Sequence, residues 1–229
     1  MKSFPPSHPW DVTPREAVAI QNRLRPFVVL AWDHPPVSRV AGLDCSYARG
    51  SDHGYAVVTV FDWPQLDEIE VAWAVGAIAF PYIPGLLAFR EAPLLLQAWK
   101  KLRHHPDLIF VDGQGIAHPR SMGLAAHLGV LLDIPAIGCA KTPLVGGDPF
   151  LENAKGNSVP LLHQGKEVGA ALRTRTGVKP LYCSPGHRID LLNTLRWVLR
   201  TCRGCRLPEP LRWAHIRANQ LRSSRERAN

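Results

Sequence analysis

Residues 40–47 read VAGLDCSY, an apolar run of strand-forming residues that is interrupted by one carboxylate, Asp44. A second apolar run, LIFVDG at residues 108–113, ends in the same way at Asp112. Short runs of this composition predict strands that are buried in the core. A carboxylate inside such a strand is costly unless it is paired or binds a metal ion. The two aspartates are therefore the first candidates for a functional site.

The residues around these runs predict a mixed sheet flanked by helices. Strands are predicted at 40–47, 55–61 and 69–80, with turn-prone stretches between them. Beyond them, the apolar spacing predicts alternating elements: a helix at 86–102, a strand at 107–111, a helix at 119–132 and a strand at 134–140. Three antiparallel strands followed by helix-linked parallel strands is the order of ribonuclease H-like folds, which belong to the α/β class. This architecture carries no function by itself.

Proline positions predict two local details of these helices. Pro93 lies inside the helix at 86–102 and should break or kink it. His118 and Pro119 should form the start of the next helix, with His118 at or beside the N-cap and Pro119 at the first helical position.

Both ends of the chain also show periodic patterns. Thr13, Pro14 and Glu16 form a capping box at the start of a helix over 14–24. Beyond residue 146 the pattern predicts a hairpin at 159–162 and 167–174, a strand at 181–183 and a helix at 187–200. The inward side chains of this last helix should be Leu191, Leu192, Leu195, Val198 and Leu199. We expect one catalytic domain over 1–222 and a basic, disordered tail over 223–229.

The composition indicates an anionic partner. Lys and Arg outnumber Asp and Glu by 27 to 19 in 229 residues, a net charge of +8, and nucleic acid is the first candidate. No apolar run approaches the roughly 20 residues that span a bilayer, and residues 1–10 do not form a signal peptide. We therefore expect a soluble, cytoplasmic protein without a membrane partner, and a monomer.

The five cysteines are scattered and odd in number, which does not suggest a secreted disulfide framework. Cys202 and Cys205 form a CxxC pair. No second pair follows at zinc-finger spacing, so two ordinary cysteines at a helix end are favoured over a structural zinc site.

Three carboxylates predict a metal site. In the βββαβ order the first and fourth strands are neighbours, which brings Asp44 and Asp112 together, and Glu91 on the intervening helix can face them. An all-oxygen site suits Mg²⁺ or Mn²⁺ better than zinc, and such ions activate water in phosphodiester hydrolysis. For any single acid, a salt bridge or a helix cap remains the simpler interpretation.

Six segments, spread over residues 42–216, resemble the endonuclease V family, and the resemblance extends over nearly the whole chain. They are GLDCSY at 42–47, FPYIPGLLAFRE at 80–91, VDGQGIAHPR at 111–120, IGCAK at 137–141, SPGH at 184–187 and RLPEPLRWAHI at 206–216. The resemblance implies a magnesium-dependent enzyme that recognises hypoxanthine and hydrolyses the second phosphodiester bond on its 3′ side. The products would carry a 3′-hydroxyl and a 5′-phosphate, in repair of deaminated DNA or in processing of inosine in RNA.

The resemblance also implies roles for individual residues. Asp44, Glu91 and Asp112 match the metal-binding acids of the family. His215 matches a position that is Asp in some members, where the side chain can bind metal or orient water. His118 and Lys141 match further catalytic positions that can neutralise the scissile phosphate or assist proton transfer. Without the resemblance, His215 would be a surface histidine and His118 a helix cap.

Substrate recognition is implied at a second group of positions. Tyr82, between the two prolines of PYIP, matches the family's wedge, which enters the space that the damaged nucleotide vacates. The flipped base would lie against backbone and small side chains, and His187 would help to hold a phosphate. The implied pocket positions are Gly85, Leu87, Gly113, Gly123, Leu124 and Leu144.

The chain departs from the family pattern at two places, and two alternative functions remain. Cys45 stands where relatives have an aliphatic residue, and Thr142 and Pro143 stand where many have basic ones, which predicts a weaker grip on the strand. Another ribonuclease H-like nuclease, such as a junction resolvase, would share the acids but need no wedge. A non-catalytic nucleic-acid-binding module would keep the acids only for structure.

Overall fold

The computed structural model describes residues 7–48 and 50–227, in which eight strands form one mixed sheet. The strands are β1 Arg39–Ser46, β2 His53–Asp62, β3 Glu68–Ala77, β4 Leu108–Asp112, β5 Ala136–Ala140, β6 Ser158–His163, β7 Lys166–Leu172 and β8 Leu181–His187. Their order across the sheet is β3-β2-β1-β4-β5-β8-β7-β6. β4 pairs in parallel with β1 and with β5, and the other neighbours are antiparallel.

Helices cover both faces of this sheet. They are α1 Pro14–Leu24, α2 Leu87–Trp99, α3 Leu124–Leu132, α4 Leu191–Thr201 and α5 Glu209–Glu226. Alternate residues of β1 and β4 enter opposite cores: Ala41 and Ile109 pack with residues of α2 and α3, whereas Val40 and Leu108 pack with residues of α4 and α5. The central strands are thus buried on both sides, as predicted, and the fold is ribonuclease H-like.

The close packing of α5 on β1 depends on Gly42. A Cβ atom at this position would lie 2.1 Å from the carbonyl oxygen of Pro210, and the Thr59 hydroxyl donates to that same oxygen at 2.8 Å. From Pro210 to His215 the helix rises about 7.5 Å, close to the roughly 6.6 Å that β1 advances from Gly42 to Asp44. The close approach at Gly42 holds the start of α5 on β1, the strand that carries Asp44.

Several element boundaries differ from the sequence predictions. The capping box of α1 is confirmed, but α2 continues without a break through Pro93. The missing main-chain hydrogen bond costs less than the burial of Ala92, Leu94 and Leu95 contributes. β8 extends to His187 because that residue pairs with Ala136 of β5, so α4 begins only at Leu191.

Two predictions near the C-terminus were wrong. Leu192 does not point inward: it is 57% exposed, and Trp197 is the large buried side chain of α4. The tail at 223–229 is not disordered throughout, because α5 continues to Glu226, while residues 228–229 lie outside the described part. In the described residues no helix has the length and hydropathy needed to cross a bilayer.

The predicted helix start at His118 and Pro119 was also wrong. α3 begins at Leu124, and Gly123 is its N-cap. The preceding loop folds back on itself, since the Gly123 N–H donates to the Gly115 carbonyl at 2.9 Å. Ser121 has a positive φ of 53°, which no helix of L residues adopts. A helical start at Pro119 fails because the loop is bound to β8, where the Ile116 N–H donates to the Pro185 carbonyl at 2.8 Å.

A buried histidine, His127, predicts acid sensitivity. Nε2 of His127 lies 2.8 Å from Nε2 of His8, and burial lowers the pKa of His127 to about 3. Between pH 6.5 and about 3 the unfolded chain binds a proton at this residue and the folded chain does not. The free energy of unfolding should therefore fall as the pH falls through this window, by about 1.4 kcal/mol per pH unit for each such group.

His127→Phe should make this slope shallower by about that amount, measured by urea unfolding between pH 4 and 6. The matched control is His105→Phe, since His105 is exposed. Equal slopes in the wild type and His127→Phe would contradict the prediction.

Candidate functional site

Two carboxylates meet where β1 and β4 end. Asp44 lies near the end of β1 and Asp112 is the last residue of β4. The parallel register pairs Leu43 with Val111, so the next residue of each strand is one of the two aspartates. The predicted adjacency of Asp44 and Asp112 is therefore confirmed, and it follows directly from the strand order.

His215 completes a compact group with these two acids. Asp44, Asp112 and His215 each offer one ligand atom, and the three atoms lie within 4.8 Å of one another. Nδ1 of His215 lies 2.7 Å from Oδ2 of Asp44, and this hydrogen bond raises the pKa of His215. The Asn219 amide contacts Nε2 of His215 at 3.2 Å and accepts from the Ser46 hydroxyl, which orients the imidazole.

Glu91 stands beside this group, on α2. Its side chain is 5% exposed, and burial, followed by repulsion from Asp44 and Asp112, raises its pKa well above the ordinary value. A hydrogen bond with Tyr47 opposes that shift. Glu91 is outside the group of three closest ligand atoms, but it faces the same cavity.

Lys141 neutralises part of the negative charge. Its Nζ lies 2.5 Å from Oδ2 of Asp112, yet the pKa of Asp112 is raised, because burial and the nearby Asp44 outweigh the lysine. Three buried or half-buried carboxylates thus repel one another in one place. A divalent cation would relieve this repulsion, and the oxygen-rich donor set suits Mg²⁺ or Mn²⁺.

A cavity of about 410 Å³ opens next to the acids. Tyr82 stands at its wall and is 65% exposed, so its ring can contact a ligand without leaving a core. The cavity also brings together seven other predicted positions: Gly85, Leu87, Gly113, His118, Gly123, Leu124 and Leu144. Gly113 has a φ of 149°, within the range that favours glycine.

His187 is the predicted site residue that the structure does not bring to this cavity. It ends β8, is 3% exposed, and its Nε2 lies 3.2 Å from Oδ1 of Asp133. Its Nδ1 accepts from the Val29 N–H at 3.3 Å. The ring thus ties β8 to α3 and to the segment after α1, and it lies outside the N-terminal turn of α4.

Cys202 and Cys205 lie at the C-terminal end of α4 and just beyond it. Among the residues that the structure describes, neither Cys202 nor Cys205 belongs to a group that can hold a metal ion. The Cys202 thiol, at the end of α4, contacts the Arg206 carbonyl at 3.9 Å.

Several residues in and around the site were not predicted from the sequence. Gln21 lies on the same face of α1 as Ala17 and Leu24 and is 1% exposed, so the helical spacing contained a signal for a buried polar residue. Asn219 lies one helical turn after His215, so the sequence spacing also indicated that the two side chains share one face of α5. Arg206 carried no local signal: it donates to the carbonyl oxygen of Lys141 at 2.7 Å and so supports the lysine from another part of the chain.

Comparison with known proteins places the chain among nucleases. The family model for Endonuclease V matches residues 22–216. Endonuclease V of Gloeobacter violaceus is 47% identical over 222 residues, which are 96% of this chain and 90% of that protein. The endonuclease V structure from Streptomyces avermitilis has a TM-score of 0.86 at 43% identity and covers 96% of each chain. The Bacillus subtilis structure has a TM-score of 0.92 at 33% identity, over 97% of this chain and 98% of that one.

Proposed function

The chain belongs to the endonuclease V family, and we propose that it is a magnesium-dependent endonuclease that recognises hypoxanthine in nucleic acid. The observation that carries this proposal is the placement of an exposed Tyr82 and a cavity of about 410 Å³ directly beside the Asp44, Asp112 and His215 group. The acids supply a means of cutting a phosphodiester, and the cavity next to them supplies a place for a flipped base.

The metal would be held by Asp44, Asp112 and His215, with Glu91 beside them. Mg²⁺, for which Mn²⁺ is expected to substitute, would supply activation of the attacking water and charge stabilisation at the leaving oxygen. Lys141, which contacts Asp112, would neutralise the phosphate that approaches the acids. The Asn219 amide contacts Nε2 of His215 and so holds the imidazole ring in one orientation.

The lesion would be selected by shape. We propose that Tyr82 enters the space that the inosine nucleotide leaves, while the base enters the cavity lined by Gly85, Gly113 and Gly123. Water then attacks the phosphorus of the second phosphodiester on the 3′ side, and the P–O3′ bond breaks. One fragment receives a 3′-hydroxyl and the other retains a 5′-phosphate. Repair of deaminated DNA in the cytoplasm, by a monomer, is the proposed role.

The direct test uses purified protein, Mg²⁺ and end-labelled duplexes that differ only in one inosine. We expect one nick at the second phosphodiester 3′ to the inosine and none in the guanosine control. Equal cutting of both duplexes would contradict the lesion specificity. A parallel arm with inosine in DNA and in RNA of the same sequence distinguishes the repair role from RNA processing.

Binding should weaken steeply with salt, because Lys and Arg contacts to phosphates release counterions. Lys141→Ala should reduce the slope of log affinity against log salt by about 1. The measurement is a fluorescence titration with an inosine duplex between 50 and 200 mM salt. Lys166→Ala is the control, since Lys166 is exposed on the β6–β7 hairpin and does not line the cavity. A flat salt response of the wild type would be inconsistent with a grip on phosphates.

A further inference from the structure

The carbonyl oxygen of Gly85 accepts hydrogen bonds from three side chains. Gln21 donates through Nε2 at 3.0 Å, His118 through Nε2 at 2.8 Å and Arg120 through Nη2 at 2.7 Å. A carbonyl oxygen has two lone pairs, so three donors, one of them a guanidinium, are more than a loop carbonyl needs. Gly85 is the last residue of the wedge loop, defined as residues 81–85 (PYIPG), which carries Tyr82.

The three donors are also bound to one another. Nε of Arg120 donates to Oε1 of Gln21 at 2.6 Å, and the Arg120 N–H donates to Nδ1 of His118 at 3.1 Å. Gln21 uses its second amide hydrogen on the Met122 carbonyl at 3.0 Å. The network therefore joins α1, the wedge loop and the loop before α3 at one oxygen atom.

Gly85 makes this convergence possible. Its φ is 82°, and a Cβ atom at this position would lie 2.9 Å from Nη2 of Arg120 and 3.4 Å from Nε2 of His118. The next residues begin α2, which carries Glu91. The Gly85 carbonyl thus lies where the wedge loop meets α2, the helix that carries Glu91.

His118 has no free ring nitrogen in this arrangement. Nε2–H is donated to Gly85, and Nδ1 accepts from the main chain of Arg120 and, at 3.4 Å, of Met122. The imidazole is also 2% exposed. A ring held in this way can orient a loop, but it has neither a proton nor a lone pair available for a phosphate.

Arg120 is not used for an ion pair within the described residues. Its fork instead binds two neutral oxygens, those of Gly85 and Gln21. Two parallel contacts from one planar group fix an orientation, which a lysine at this position cannot do. The guanidinium therefore holds the Gly85 carbonyl and the Gln21 side chain in fixed positions relative to each other.

We infer that Gln21 and Arg120 are positioning residues that act together with His118 to hold the wedge loop through the Gly85 carbonyl. The inference rests on the proposed function, because it assigns the network a role in driving Tyr82 into the duplex. Unstacking a base step costs a few kcal/mol. If the loop that carries Tyr82 were displaced by the bases, little of the binding energy would be used to unstack them.

The test is cleavage by Gln21→Leu and Arg120→Lys of inosine in a duplex and in a single strand. Single-stranded inosine needs no unstacking of a paired partner, so only the duplex rate should fall, on the order of tenfold in kcat/KM. The single-strand rate of the same sample is the internal control for misfolded protein. Gln97→Leu and Arg196→Lys, at exposed positions of α2 and α4, are the matched controls and should behave as the wild type.

A double-mutant cycle with Tyr82→Ala identifies the route of the effect. If the network acts through the wedge, Gln21→Leu should cost on the order of tenfold with Tyr82 present and less than about twofold without it. Additive losses, or equal losses on duplex and single strand, would overturn the inference. If the wild type cuts inosine and both variants cut it equally well, the inference fails while the proposed function stands; if the wild type ignores inosine, the proposed function fails.

His118→Gln separates positioning from acid–base chemistry. Glutamine can still donate to the Gly85 carbonyl, so the duplex rate should fall less than about tenfold and the pH profile of kcat/KM should keep its shape. General acid–base groups contribute roughly 10²- to 10⁴-fold. A loss of that size on both substrates would show direct participation and overturn the assignment of His118.

Discussion

Asp112→Asn is expected to reduce cleavage of an inosine duplex by on the order of 10³-fold or more, while the protein stays folded and binds the duplex. Asp112 is the last residue of β4, and its carboxylate is part of the three-residue group that can hold a divalent cation. An amide has no charge to hold the ion and cannot match the second carboxylate oxygen as a ligand. The measurement is the single-turnover rate with Mg²⁺ in excess.

Stability distinguishes this effect from unfolding. Burial and Asp44 raise the pKa of Asp112, so a neutral side chain removes a repulsion, although it also loses the contact with Lys141. Without metal, we expect the free energy of unfolding to change by less than about 1 kcal/mol. Mg²⁺ should stabilise the wild type, by about 2.7 kcal/mol at 100 times its Kd, and should not stabilise Asp112→Asn.

Asp67→Asn is the matched control, because Asp67 is exposed and distant in sequence from the acids. It should cut at the wild-type rate and respond to Mg²⁺ in the same way. Undiminished cleavage by Asp112→Asn would remove the acidic group from the mechanism and favour a cofactor-free or contaminating nuclease.

Tyr82→Ala is expected to have the second largest effect, and a different one. Losing the aromatic contact with bases should weaken the productive complex by about 1–3 kcal/mol, or roughly 5- to 150-fold in kcat/KM on duplex inosine. Tyr82 is 65% exposed, so its removal should leave the melting temperature unchanged. The acids are untouched, and residual cleavage should therefore remain strictly dependent on Mg²⁺.

Phe150→Ala is the control for losing an exposed aromatic ring, since Phe150 is 90% exposed and does not line the cavity. The fluorescence of 2-aminopurine beside the inosine reports unstacking directly, and Tyr82→Ala should abolish its rise on binding. If Tyr82→Ala cuts the duplex as well as the wild type, the wedge is unnecessary. A nuclease that recognises another structural feature, such as a junction resolvase, would then be the better description.

Much of the fold could be predicted because its central strands are short, apolar and bounded by turn residues. The strand at Arg39–Ser46 and its neighbour at Leu108–Asp112 were found within two residues at either end. The errors are at places where contacts distant in sequence decide the local structure. The loop before Leu124 folds back because Gly123 bonds to Gly115, and β8 reaches His187 because it pairs with Ala136.

The candidate site also contains residues that could be predicted from the sequence and residues that could not. Asp44 and Asp112 were predicted because a carboxylate in an apolar strand is locally anomalous, whereas Tyr82 was predicted only from the resemblance of PYIP to the family motif. The helical spacing marked Gln21 as a buried polar residue, but nothing near Gln21 or Arg120 in the sequence shows that both contact the Gly85 carbonyl, 64 and 35 residues away. The sequence also could not show that His187 faces Asp133 and not the cavity.

The amino-acid sequence by itself predicted most strands and helices and the adjacency of Asp44 and Asp112, because hydrophobic periodicity and the cost of burying charge depend on neighbouring residues. Its six motifs predicted the family. Only the tertiary structure decided which side chains share one hydrogen-bond acceptor, which histidine stands beside Asp44 and which stays in the core. Those outcomes depend on distances between elements that are remote in the chain. Packing sets these distances, at contacts such as that of α5 on Gly42.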